Sequence, residues 1–372
     1  MSVTILFILF LLLLTGKPRF RKHLPLDGSY LSHERTNLIN AFFIIIIVLR
    51  HIHQRIIPFE GIDLFYAHAY EHKAAQSIVS SFFVFSGYGI MMSLLKKKES
   101  YLKELMSKRF VKLYFNMAVC AFVSAITYIF TYTTWELALH HAVLTCLGLG
   151  GYWFIIMTLV IYITTWLSFT VIGLKRPAIS IILSGLLIYG VCVALIPVKP
   201  AWWLDTELCF PCGMLLALYR PKIDSILTRT KLPILFVGIG VTILGWRLMK
   251  YCPRVCGATL YHAGIINDYS MQVMYQFFYP LCTVVFVLGI AWTFASFTWK
   301  KFSPFLVWLG GPAVFYIFVL HFIAIRAMQA LGWHAYYPQL CILLVVLATL
   351  ALAYTGYKLL PKLDKLVFDR HH

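Results

Sequence analysis

The sequence predicts an all-α polytopic integral membrane helix bundle, and three observations carry that prediction. Of its 372 residues, 61% are apolar and only 12% charged, a balance foreign to soluble domains of this size. Apolar stretches of about 20 residues recur from end to end, each long enough to cross about 30 Å of hydrocarbon as a helix. The basic residues behind the net charge of +18 fall mostly in short connections between and beside those stretches, as the positive-inside rule requires. No basic tail or finger-like spacing accompanies it, which argues against nucleic acid as a partner.

Taken in order, the chain opens with a short apolar run near 2–16. No positive segment precedes it, so it makes a poor secretory signal. The basic GKPRFRK that follows fits a retained anchor, and residues 1–34 are set apart as an anchor helix with a basic linker. The main domain is expected over 35–372, with about ten core transmembrane helices near 36–57, 74–95, 109–131, 152–173, 177–197, 204–219, 231–249, 270–297, 303–328 and 338–359. The stretch 132–151, which carries His140 and His141, is too polar and broken to span; a re-entrant or interfacial helix is expected there. Alternating the sides places 24 of the 32 lysines and arginines on one face of the membrane, which is assigned to the cytoplasm together with the C-terminus. Trp135, Trp202, Trp203 and Trp333 collect on the other side as interface anchors.

The nine cysteines are scattered, mostly in apolar spans, and read as small hydrophobes. Cys209 and Cys212 have CxxC spacing but no second pair. Cys252 and Cys256 lie in a loop outside the cytoplasm, where a bridge and two free thiols are equally open. No compact set of ligands implies a metal.

One segment, TNLINAFFIIIIVLRHIHQR, bears a polar stripe. Eleven residues separate Asn40 from His51, about three turns and roughly 16 Å along one helix face. Asn37, Gln54 and Arg55 extend that face. Polar groups in an apolar span are costly and point to a protein interior or a wet cavity, and a histidine there can take a proton near neutral pH.

Four stretches in the same order resemble the membrane-bound acyltransferase-3 family of bacterial sugar O-acyltransferases. They are the Asn40–His51 segment, with asparagine where the family usually has a basic residue; FFVFSGYGIMMSLLKKK (82–98); YLKELMSKRFVKLY (101–114); and LGGPAVFYIFVLHFIAI (309–325). The resemblance implies transfer of an acyl group, usually acetyl from cytosolic acetyl-CoA, to a hydroxyl of a glycan or lipid-linked sugar outside a bacterial cytoplasmic membrane. It implies His51 as catalytic base. Asn40, Ser86, Gly87, Tyr88, Lys108, Arg109 and Lys112 are expected on the CoA side, where cations and small residues suit a polyanionic donor. For Gly87, helix packing is an equal alternative. Trp153, Tyr316 and His321 are expected on the acceptor side. The carboxylate that would orient His51 is open among Glu60, Asp63, Glu136, Asp205 and Glu207. Two other readings compete: a transporter or flippase of a lipid-linked glycan without acyl transfer, and a membrane sensor using His51, His140 and His141.

Overall fold

The structure is a computed structural model, and it describes residues 19–20, 29–56, 74–129, 134–147, 152–195, 205–227, 233–255, 257–298 and 303–368. The N-terminal apolar run, Cys256, Glu60, Asp63, Trp202 and Trp203 lie outside the described residues.

Among the described residues the regular structure is helical apart from an antiparallel pair of two-residue strands, β1 (Arg19–Phe20) and β2 (Phe297–Thr298). The helices run in order as α1 (His33–Arg55), α2 (Ala74–Lys97), α3 (Glu99–Glu104), α4 (Val111–Ile129), α5 (Trp135–Cys146), α6 (Trp153–Ile172) and α7 (Pro177–Leu195). They continue with α8 (Cys209–Leu227), α9 (Ile234–Val255), α10 (Ala258–His262), α11 (Asp268–Ala295), α12 (Pro304–Gly310), α13 (Ala313–Leu331) and α14 (Pro338–Phe368). Among the described residues, nine helices are long and apolar enough to cross a membrane. The protein is therefore a polytopic helical membrane protein. Helix α8 has 19 residues but carries Arg220, Lys222 and Asp224 in its last two turns, which keeps it off that count.

Three expected boundaries are corrected. The span expected from 109 begins ten residues earlier. Helix α3 and a π-helical turn over Leu105–Phe110 lead without a break into α4. The span expected near 204–219 starts at Cys209 and runs to Leu227, because Asp205–Leu208 form a turn. The span expected over 303–328 is two helices. Gly311 and Pro312 part α12 from α13, since proline lacks the N–H needed to continue α12. The break seats α12 against α1: a Cβ at Gly310 would collide with the Asn37 carbonyl oxygen.

Helix α1 is the hub of the bundle, packed against α2, α11, α12, α13 and α14. Its apolar residues from Ile44 to Leu49 are buried all round, the mark of a helix enclosed by others rather than by lipid. Helices α2 and α8 pack extensively, and two glycines make the approach possible. A Cβ at Gly87 would meet the Phe210 carbonyl, and a Cβ at Gly213 would meet that of Val84. Small residues at a crossing let backbones touch where no hydrophobic force draws helices together. The stretch around His140 and His141 is α5, a 12-residue helix capped by Thr134 and lying on α4 with its outer face exposed.

Candidate active site

Helices α1 and α13 bring together two residues 270 positions apart. His51 Nδ1 lies 2.7 Å from His321 Nε2. The ring planes differ by 14° and their centroids are 4.7 Å apart. Nitrogens this close require the rings to meet edge to edge, as hydrogen-bonded imidazoles do. His321 Nδ1 lies 2.9 Å from the Ile317 carbonyl, one turn back on its own helix. A carbonyl only accepts, so neutral His321 carries its proton on Nδ1 and presents a lone pair at Nε2. His51 must then donate from Nδ1, and its lone pair resides on Nε2. No described residue bonds that nitrogen. His321 is fully buried and His51 half-buried. Phe322 packs its ring 4.9 Å from His51 and 4.1 Å from His321. The pair is thus a held imidazole with one basic nitrogen left open, set in an apolar wall.

None of the described carboxylates expected to orient His51 does so. Asp205 accepts from Gln76 at 3.2 Å and from Gln272. Glu207 accepts from the Thr206 amide at 3.0 Å, and Glu136 is exposed on α5. Burial pushes the Asp205 carboxyl up to about 6, against the hydrogen bonds from Gln76 and Gln272 that lower it. His321, expected on the acceptor side, occupies the orienting position instead. Its sequence signal was its depth: it lies inside an apolar span, where an ionisable group demands a partner.

Tyr316 points elsewhere. Five residues turn a helix by about 500°, so Tyr316 and His321 face about 140° apart. Tyr316 packs on α14, where its ring is 6.4 Å from Tyr357. Trp153 is half-buried at the start of α6. Its neighbours reach α13: Tyr152 donates to the Val319 carbonyl at 3.2 Å, and the Phe154 ring is 4.8 Å from Phe318.

The residues expected on the donor side are spread over α1, α2, the π-helical turn and the first turn of α4. Lys108 is exposed and pairs with Glu104 at 3.4 Å, as does Lys97. Arg109 is exposed and sits 5.2 Å over the Tyr101 ring. Arg109, Lys112 and Asn116 fall at i, i+3 and i+7 across the π-helical turn and the start of α4. Among the described residues Asn116 Oδ1 is buried without a hydrogen-bond partner, and so is Asn40 Oδ1 on α1. Ser86 is half-buried. Gly87 is occupied by the α2–α8 crossing, so its missing side chain serves packing. Tyr88 accepts from Arg220 Nη1 at 2.9 Å, Arg220 Nε lies 3.6 Å from Asp224, and Tyr30 donates to Asp224 at 2.7 Å. That chain ties α2 and α8 to the segment before α1. Arg35 caps α11, donating to the Phe294 and Phe297 carbonyls at 3.3 and 3.4 Å, a favourable place for a cation.

The described residues thus form a polytopic helical membrane bundle with a histidine pair held between α1 and α13. Residues 35–358 match the family model described as acyltransferase domain, that of the acyltransferase 3 family. The chain belongs to that family. No curated protein and no solved structure matches it.

Proposed function

We propose that this protein moves an acyl group, acetyl in the first instance, from cytosolic acyl-CoA to a hydroxyl of an extracytoplasmic carbohydrate or lipid-linked sugar. The membrane would be a bacterial cytoplasmic membrane. The observation that carries the reading is the His51–His321 pair, whose tautomers leave His51 Nε2 as an open base. A sugar hydroxyl is a poor nucleophile, and a positioned imidazole that takes its proton contributes about 10²–10⁴-fold. His51 Nε2 removes that proton as the oxygen attacks the thioester carbonyl carbon. The tetrahedral oxyanion collapses, the carbon–sulfur bond breaks, and the CoA sulfur leaves with the proton that His51 held. His321 keeps the His51 Nδ1 proton in place throughout and supports the imidazolium that forms.

The donor's phosphates suit the basic mouth. Lys108, Arg109 and Lys112 supply cations there, and arginine can grip a phosphate with two parallel bonds. The stripe from Asn40 to His51 runs roughly 16 Å from that end toward the base, a span suited to an extended pantetheine arm. Asn40 offers an amide, so its contribution is a hydrogen bond rather than charge.

Acetyl-CoA binding and slow hydrolysis by detergent-purified protein, wild type beside His51→Ala, test the proposal. Binding by both with hydrolysis lost in the variant supports it. Absence of CoA binding in the wild type overturns it and favours the transporter.

A further inference from the structure

We infer that Arg326 is an acceptor-binding residue that holds an anionic group, a carboxylate or a phosphate, on the molecule to be acylated. The inference rests on the acyl-transfer reading above.

Arg326 lies on α13 and is 9% exposed. All its partners among the described residues are neutral. Its Nε donates to Thr127 Oγ1 at 3.0 Å, its Nη2 donates to the Ser124 hydroxyl and carbonyl, and its guanidinium lies 4.1 Å from the centroid of the Tyr128 ring. The Tyr128 ring stacks in turn on His141 of α5, with centroids 5.7 Å apart. Among the described residues no carboxylate pairs with Arg326. Its Nη1 bonds no described residue and is not sealed from its surroundings.

A buried guanidinium is ordinarily held by an acid, because taking its charge out of water costs several kcal/mol. Ser124, Thr127 and Tyr128 fix its direction, and among the described residues no acid compensates its charge. A planar cation oriented by neutral groups, with one nitrogen open, is a receptor for a planar or tetrahedral anion.

Its place fits an acceptor. Five residues beyond His321 set it about 7.5 Å farther along α13, away from the basic mouth. The two side chains diverge by about 140°, His321 toward α1 and Arg326 toward α4, and both helices pack on α13. An acceptor would lie across the α1–α13–α4 junction, with its hydroxyl at His51 and its anion at Arg326. Gln329 donates to the Arg55 carbonyl at 2.6 Å and pins α13 to the end of α1 beside this junction.

The test uses full-length purified protein and three probes: methyl glucuronide, glucose 1-phosphate and neutral methyl glucoside. Binding is read by tryptophan fluorescence, with acetyl-CoA hydrolysis followed in the same wild-type samples. The expected result is an anionic probe bound about tenfold or more tightly than the neutral one, as charged hydrogen bonds allow. Arg326→Gln should bring the ratio near one, and Arg326→Lys, which keeps the charge and serves if the glutamine variant fails to fold, should retain part of it. Preference for the glucuronide assigns an acidic sugar; preference for the phosphate assigns a sugar phosphate such as a lipid-linked one. No preference in the wild type, or one that survives Arg326→Gln undiminished, overturns the inference. Hydrolysis without preference sinks this inference alone, whereas preference without hydrolysis sinks the acyl-transfer reading and leaves the anion site standing.

Discussion

His51 on α1 and His321 on α13 share one hydrogen bond of 2.7 Å, and the Ile317 carbonyl at the far side of His321 decides its direction. That chain places the lone pair of the pair's outer nitrogen on His51 Nε2. Replacing His51 with alanine should cut acyl transfer by about 10²–10⁴-fold while CoA binding persists. Rates of acetyl-CoA turnover beside CoA titrations check both halves of this expectation, and retained turnover would remove His51 from the chemistry.

In the proposed mechanism His321 acts through His51, which makes it a positioning residue. His321→Ala should lower kcat more than it raises the CoA KM, because the imidazole loses its tautomer and its orientation. His321→Asn restores an acceptor near Nδ1 of His51 and should recover part of the loss. Equal effects of the two variants on kcat and KM would point to a purely structural role.

Arg109 and Lys112 are the proposed contacts for the donor's phosphates. Arg109→Ala should weaken CoA binding by about tenfold, the scale of a charge-assisted hydrogen bond, and raising the salt concentration should narrow the gap to wild type. CoA titration at two ionic strengths tests this. A variant binding as well as wild type at low salt would place the phosphates elsewhere.

Gly87 and Gly213 meet the backbones of α8 and α2. Overpacking a closed interface costs about 1–3 kcal/mol, and here the obstacle is backbone rather than a flexible tip. Gly213→Val should lower the thermal midpoint in detergent well below that of wild type. Gly89 faces open space, so Gly89→Ala should leave the midpoint close to wild type, and equal losses from the two changes would dismiss the crossing as the cause.

Asp205 lies in the turn before α8, and burial raises its carboxyl from 3.8 to about 6. Between those values the folded protein holds a proton that the unfolded chain has released. Stability from this group is therefore complete below about pH 4 and declines as pH rises through about 6. Thermal midpoints measured from pH 4 to 7 should show less decline in Asp205→Asn than in wild type. Parallel profiles would mean that Asp205 does not titrate in this window.

Much of this molecule was legible before folding. Hydrophobic length is a local property, so apolar stretches announced membrane helices at nearly the positions found. His51 stood out because a polar stripe in an apolar helix is visible from 3.6-residue periodicity alone. Boundaries set by a π-helical turn at Leu105–Phe110 or by the Gly311–Pro312 break were less legible, because neighbouring helices select among local conformations of similar energy.

The tertiary structure alone decided the partners. Among carboxylates, nothing local excluded Asp205 or Glu207 as the group that orients His51; packing of α1 on α13 supplied His321 instead. Gly87 was equally suited to a ligand or a helix until α8 filled its place, and Tyr88 joined Arg220 rather than an open donor site. Periodicity tells which face of a helix is polar, but not which helix that face meets. That choice belongs to side-chain packing across hundreds of residues, where the cost of an unpaired polar group in an apolar interior selects the partner.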